Sequence, residues 1–156
     1  MNIPPADGVR LCLFCADGLP PLSALARYCH ASGLPPSALH TSIAIERSLP
    51  SAIGPDNARI DVTVPDESPP IRVDAAQVDH ALVNLLENAL KFSSVTDRVE
   101  LHAHATPEEV LLRITDHGPG IPLEEQGRIF EPFHGSGSGL GLAIARGFVN
   151  LNDGRL

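Results

Sequence analysis

Hydrophobic and polar positions along this chain follow two periods, and the switches between them mark out the elements. Over residues 59–65, Ile60, Val62 and Val64 share one parity, while Arg59, Asp61 and Thr63 share the other. That alternation predicts a half-buried strand. A short extended piece, Ile71-Arg72-Val73, follows Pro69-Pro70. From 75 to 93 the spacing lengthens to threes and fours: Val78, Leu82, Leu85, Ala89 and Phe92 form an apolar stripe that Val83, Leu86 and Leu90 widen. His80, Asn84, Asn88 and Lys91 form a second, polar stripe. This is the pattern of an amphipathic helix with its apolar face on a core. Period two then returns. Val99, Leu101, Ala103 and Ala105 alternate with polar residues, and Val110, Leu112 and Ile114 do so again after Thr106-Pro107-Glu108-Glu109, predicting a hairpin. In phase with the buried face of its second strand comes Asp116. Residues 123–128 predict a helical turn. A last helix is predicted over 139–151, with Leu140, Ile144, Phe148 and Leu151 on one side and Gly154 placed to end it.

The first part of the chain differs. Eleven of the 15 prolines lie in residues 1–70, in pairs at 4–5, 20–21, 35–36 and 69–70. Each pair interrupts helices and favours extended or turn backbone. Short helices are predicted between them, at about 21–32 and 37–49. The chain divides into a proline-rich segment, 1–39, to which no role is assigned, and a folded unit, 40–156. With 156 residues and 43% hydrophobic content, there is room for one domain with its own core.

A formal charge of −8 argues against a nucleic-acid partner, which needs Lys and Arg to neutralise phosphates. An anionic ligand has to be held by local dipoles and a few cations instead. No apolar run is long enough to span a bilayer and no signal-peptide pattern opens the chain, so these residues are expected to be cytoplasmic, without membrane contact, even if they form part of a membrane-anchored protein. Cys12, Cys15 and Cys29, with His30 or His40, could supply four zinc ligands. A second C-x-x-C is lacking, and Cys12 and Cys15 sit among apolar residues, which favours the plain reading of buried thiols.

Three polar features carry chemistry. Asn84 and Asn88, four apart on a helix, stack on one face, and Lys91 continues the row. A carboxamide oxygen suits Mg²⁺ and a lysine suits phosphate, although an ordinary wet helix face has the same appearance. Asp116 leads into Gly118-Pro119-Gly120. A carboxylate there can accept from an adenine amino group while glycines let the base approach, or it can cap its own loop. Gly137-Ser138-Gly139-Leu140-Gly141 opens a helix whose free N–H groups and dipole can cradle phosphate. It matches neither a Walker A loop nor a Rossmann turn. Phe130 and Phe133 flank it and can anchor a lid or simply pack in the core.

Taken in order, His80 to Phe92, Asp116-His117-Gly118-Pro119-Gly120-Ile121-Pro122, Ile129-Phe130-Glu131-Pro132-Phe133 and Gly137 to Leu142 resemble the N box, first glycine box, F box and second glycine box of bacterial sensor histidine kinases. The resemblance covers about residues 40–156. It places the chain in the GHKL ATPase superfamily with gyrase, the large heat-shock chaperone and MutL. It implies an α+β Bergerat fold: a two-layer sandwich of a mixed, mostly antiparallel sheet with helices on one face. It further implies ATP and Mg²⁺ as ligands. Asn88 would hold Mg²⁺, with Asn84 supporting phosphate or metal and Lys91 on phosphate. Asp116 would take the adenine amine, with Gly118, Gly120 and Ile121 shaping the base pocket. Phe130, Phe133, Gly137, Gly139, Leu140 and Gly141 would form the lid and its phosphate-side hinge. Superfamily members that hydrolyse ATP place Glu four residues before the metal Asn. Here that position is Asn84, and Glu87 points about 100° away around the helix. The implied function is the catalytic domain of a two-component kinase that presents the γ-phosphate to a histidine.

None of the seven histidines has the phosphoacceptor context, so no catalytic nucleophile is assigned within the chain. The implied partners are a dimerisation domain carrying that histidine and a downstream response regulator. The lid is short, and the two strands that usually follow the last helix are absent from this sequence. An open sheet edge and exposed apolar surface on that helix are therefore expected, with lowered stability or homo-oligomerisation. Two alternatives share the pocket: a serine kinase of the anti-sigma-factor type, against which Phe130 and Phe133 argue, and a degenerate non-catalytic binding module.

Overall fold

The computed structural model describes the backbone of residues 9–14, 39–40, 54–65, 71–106, 109–134 and 139–156. Its centre is the hairpin of β5 (Val99–Ala105) and β6 (Glu109–Thr115). Antiparallel register sets Leu101 against Ile114, Ala103 against Leu112 and Ala105 against Val110, so the apolar parity of both strands falls on one face. The turn closes locally: Thr106 N–H donates to the Glu109 carbonyl at 2.8 Å, and Glu109 N–H donates to Thr106 Oγ1 at 3.1 Å. A six-residue 3₁₀ turn, Gly54–Arg59, leads into β3 (Ile60–Thr63), which runs parallel to β5. On the other side, β1 (Val9–Phe14) pairs antiparallel with β6. The result is an open, mostly antiparallel sheet in the order β1-β6-β5-β3. β6 is thus flanked on that side by a segment the sequence leaves without a role.

A second, two-stranded sheet joins β2 (Leu39–His40) to β4 (Ile71–Arg72). This corrects the helix expected over 37–49 at those two residues, where pairing across the chain outweighs local helical spacing. The rest of that helix, all of 21–32, Cys29 and His30, and the side chains of Cys12, Cys15 and His40 lie outside the described residues.

Helix α1 (Ala75–Phe92) covers one face of the sheet. Asp74 caps it by accepting Gln77 N–H at 3.1 Å. Val78, Ala81, Leu82, Leu85, Leu86, Ala89 and Leu90 are buried against β5, β6 and their neighbours. Phe92 is a correction: it closes the helix and is 42% exposed, while the next residue, Ser93, turns inward and is buried. A short helix, α2 (Leu123–Gln126), follows the sheet, and α3 (Gly141–Leu151) packs on α1.

The buried face of α3 also differs from expectation. Ala145 and Val149 are fully buried, and Leu142 and Phe148 pack partly, while Ile144 and Leu151 are 43% and 71% exposed. Helix-on-helix packing at close range selects the small Ala145, which a count of bulky residues overlooks. The exposed pair leaves apolar surface on this helix. Its end also departs by one residue: Asp153 takes the left-handed conformation, φ 56°, and Gly154 N–H donates to the Val149 carbonyl at 2.9 Å. Among the described residues no helix is long and apolar enough to cross a membrane.

Asn152 locks the two helices together. Its Oδ1 accepts Asp74 N–H at 2.6 Å, and its Nδ2 donates to Gln77 Oε1 at 3.0 Å and to the Phe148 carbonyl at 2.8 Å. Replacing it with Ala is expected to cost about 1–3 kcal/mol, from lost hydrogen bonds and a stranded amide; urea unfolding of Asn152→Ala against the parent measures this. At the sheet edge, Arg98 grips Asp61 through two hydrogen bonds. Those bonds hold the Asp61 carboxyl below the usual carboxylate range; desolvation opposes them and the guanidinium charge adds to them. A depressed pKa stabilises the fold above the unfolded value and loses that effect as pH falls through the folded one. The stability gap between parent and Asp61→Asn should therefore be level above about pH 5 and shrink on acidification below about pH 4; denaturant midpoints across that range test it.

Candidate functional site

The polar stripe of α1 meets the start of α3. Three contacts fix the relation of the helices: Asn152 on Asp74 and Gln77, the Phe148 ring 6.0 Å from the His80 ring, and Gly141 beside Asn84. As numbers rise along α3 they fall along α1, so the helices are antiparallel. The N-terminus of α3 consequently opens next to Asn84, and α1 runs on past it to Asn88. Asn84 donates its Nδ2 to the His80 carbonyl at 2.9 Å. Its Oδ1 then faces Gly141, where an added Cβ would come within 3.4 Å of it. Leu140 precedes the helix and offers no side-chain cap, which leaves the first-turn N–H groups without that partner. Asn88 is half-buried, and its side chain makes no hydrogen bond among the described residues.

Asp116 follows β6 directly and is half-buried. Its Oδ1 accepts Gly118 N–H at 2.8 Å, so one oxygen caps the loop; its second oxygen has no hydrogen bond among the described residues. Gly118 is tightly confined: a Cβ there would lie 2.9 Å from Asp116 Oδ1 and 3.0 Å from the carbonyl oxygen of Phe92, the last residue of α1. The neighbouring His117 donates N–H to Ser93 Oγ at 3.3 Å, and its Nδ1 lies 3.2 Å from the Arg98 carbonyl. Behind this loop, Arg59 donates to the carbonyls of Ser94 at 2.6 Å and Asp97 at 3.3 Å. Gly120 has φ 75° in open space, and Ile121 is 39% exposed.

The segment between these two places is short. Phe130 is half-buried, with the Arg146 guanidinium 5.6 Å from its ring centroid. Phe133 is 80% exposed with φ 64°, and its N–H donates to the Gly139 carbonyl at 2.9 Å. Gly139 has φ 62°, and a Cβ there would meet the Phe133 and His134 backbone at 2.7 Å, so this base of the loop requires glycine. Gly137 lies outside the described residues.

The structure therefore brings Asn84, Asn88, Gly139, Leu140 and Gly141 to one side and sets Asp116, Gly118 and Gly120 against the end of the same helix. Lys91 stands apart. Its ammonium lies 5.1 Å from the Phe92 ring centroid, and it lines a cavity of about 220 Å³ with Asp56, Arg59, Glu87 and Leu90. That cavity contains neither Asn84, Asn88 nor Asp116. Sequence reasoning passed over Ser93, His117 and Arg146. Arg146 carried a signal, as the only charged residue of α3; Ser93 carried none beyond being polar after a helix.

Known proteins resemble this chain in sequence and fold. The profile described as "Histidine kinase-, DNA gyrase B-, and HSP90-like ATPase" matches residues 73–156. The alginate biosynthesis sensor protein KinB of Pseudomonas aeruginosa is 41% identical over 96 residues, covering 58% of this chain and 16% of that protein. An adaptive-response sensory kinase SasA of Prochlorococcus marinus is 38% identical over 106 residues, covering 62% of this chain and 28% of that protein. The chain thus spans a small fraction of the length of these curated relatives. Among solved structures, the mycobacterial sensor histidine kinase MprB superposes with a TM-score of 0.60 at 37% identity, covering 70% of this chain and 74% of that one.

The two glycines of the Asp116 loop should respond differently to substitution. Gly118→Ala forces a methyl against a carboxylate and a backbone carbonyl and is expected to cost about 1–3 kcal/mol. At Gly120 an added Cβ has open space, and Asn tolerates positive φ, so Gly120→Asn is expected to cost about 1 kcal/mol or less. Thermal unfolding of both variants checks the order.

Proposed function

The chain belongs to the histidine kinase-, DNA gyrase B- and HSP90-like ATPase family, and on that premise we propose that it is the ATP-binding catalytic domain of a two-component sensor histidine kinase. One observation supports this reading above the others. A single helix, α1, carries the start of α3 against Asn84 and the Asp116 loop against Phe92, so an anion-seeking helix terminus and a carboxylate with a spare oxygen flank Asn88.

In this reading the second oxygen of Asp116 accepts from the exocyclic amine of adenine, and guanine, with a carbonyl there, is rejected. Gly118 and Gly120 keep the loop flat enough for the base, beside Ile121. The uncapped N–H groups and dipole at the start of α3 receive phosphate oxygens. Asn88, with its amide uncommitted, would hold Mg²⁺, with Asn84 Oδ1 in support; the ion supplies charge neutralisation for the phosphates. Gly139 hinges the lid from Phe130 to Leu140, and the Arg146–Phe130 contact ties that lid to α3. Lys91 would have to turn from Phe92 to reach a phosphate. Glu87 is exposed and lines the separate cavity with Asp56 and Arg59, away from Asn84 and Asn88. With Asn84 at the position where hydrolysing relatives carry Glu, and Glu87 at that separate cavity, the arrangement favours phosphoryl transfer to an acceptor over hydrolysis. The acceptor is a histidine on a dimerisation domain outside this sequence, a response regulator takes the phosphoryl group onward, and this domain works on the cytoplasmic side.

Calorimetric titration with ADP and Mg²⁺ tests the pocket. Asp116→Asn should weaken binding about ten- to a hundredfold, the worth of a charge-assisted hydrogen bond of roughly 1.5–3 kcal/mol. Asn88→Asp should mainly reduce transfer, read as acid-labile, base-stable phosphate on an added histidine-bearing dimerisation domain. Equal ADP affinity in Asp116→Asn and the parent would sink the assignment.

A further inference from the structure

Strand β1 reaches the sheet from the far end of the sequence and pairs beside the candidate nucleotide site. Its register runs from Val9 opposite Ile114 to Phe14 opposite Glu109. On its other flank β6 pairs with β5, Leu101 standing opposite Ile114 and Glu100 opposite Thr115. Ile114 is thus the last β6 residue held on both sides, and Asp116 leaves the sheet two residues later. Among the described residues the Asp116 loop is tied to its surroundings through His117, whose N–H donates to Ser93 Oγ and whose ring meets the Arg98 carbonyl, while Gly118 N–H closes the loop on Asp116 itself. The direction in which Asp116 departs therefore depends on how β6 is held, and β1 supplies one of its two flanks.

β1 is also an edge element of the sheet. It stands at the end of the strand order and closes a loop of about 100 residues to meet β6, so loop-closure entropy works against its docking. Edge elements with one row of partners open at lower free energy than the core. We infer that docking of strand Val9–Phe14 onto β6 sets the position of the Asp116 carboxylate, and that strand docking and nucleotide binding are reciprocally coupled. The inference rests on the nucleotide reading above and adds to it a positioning element from outside the family-matched residues 73–156. Linkage requires that a strand whose release weakens nucleotide binding be held more firmly, by the same factor, when nucleotide is bound.

The full-length chain provides the test. Successive N–H groups in an antiparallel strand point alternately toward and away from the partner. Of Leu11→Pro and Cys12→Pro, one removes a donor to β6 and the other a donor facing away, so the two variants control for each other. Titration with ADP and Mg²⁺ should show about a tenfold loss of affinity in one and less than about a threefold change in the other, within the usual range of site-to-site coupling. In the parent, saturating ADP and Mg²⁺ should slow amide exchange of residues 9–14 by about the same tenfold. Equal affinities in the two variants, or exchange at 9–14 unchanged by bound ADP, would overturn the coupling. A parent that binds no ADP overturns the nucleotide reading and the coupling together, whereas one that binds ADP with no response at residues 9–14 overturns the coupling alone.

Discussion

The antiparallel contact between α1 and α3 governs what this molecule can do. Three of its features depend on one another. Asn152 bolts the end of α3 to the start of α1, Ala145 and Val149 let the helices approach closely, and Gly141 gives Asn84 room at the other end. With that distance set, the start of α3 opens beside the amide row of α1 instead of over bulk solvent. A longer side chain at 141 or 145 would push the helix terminus outward and separate its dipole from the groups it faces.

The opposite end of α1 is organised by a different kind of constraint. Few apolar contacts act there; the loop from Asp116 to Gly120 is held by hydrogen bonds to Ser93 and Arg98, and the chain behind it by Arg59 on Ser94 and Asp97. Such a network fixes geometry at modest energy, since each bond replaces one to water. It also commits one Asp116 oxygen to its own loop, while the other has no hydrogen bond among the described residues. In the proposed reading, capping and ligand binding are two uses of one carboxylate.

Much of this was legible because period and spacing are local. The alternation of Ile60 and Val62, the stripe from Val78 to Ala89 and the paired parities of Val99 to Ile114 follow from backbone geometry, and each corresponds to an observed element. The Asn84–Asn88 spacing and the Gly118–Gly120 pair could be read for the same reason. What could not be read depended on partners. Phe92 has the right phase for the core but falls where the helix ends. Ile144 and Leu151 are bulky enough for a buried face, yet the neighbour is a helix at close range and selects Ala145. Leu39–His40 is extended because of Ile71–Arg72.

By itself the sequence determined the main strands and helices from Ile60 onward and which polar residues share a face, since both follow from periods of two and 3.6 residues that act over a few positions. Tertiary structure alone decided that Val9–Phe14 joins the sheet beside β6, that the Lys91 ammonium lies over the Phe92 ring, and that one Asp116 oxygen caps its own loop. Those outcomes are set by groups distant along the chain competing for the same space and the same hydrogen bonds, a contest that no local pattern records.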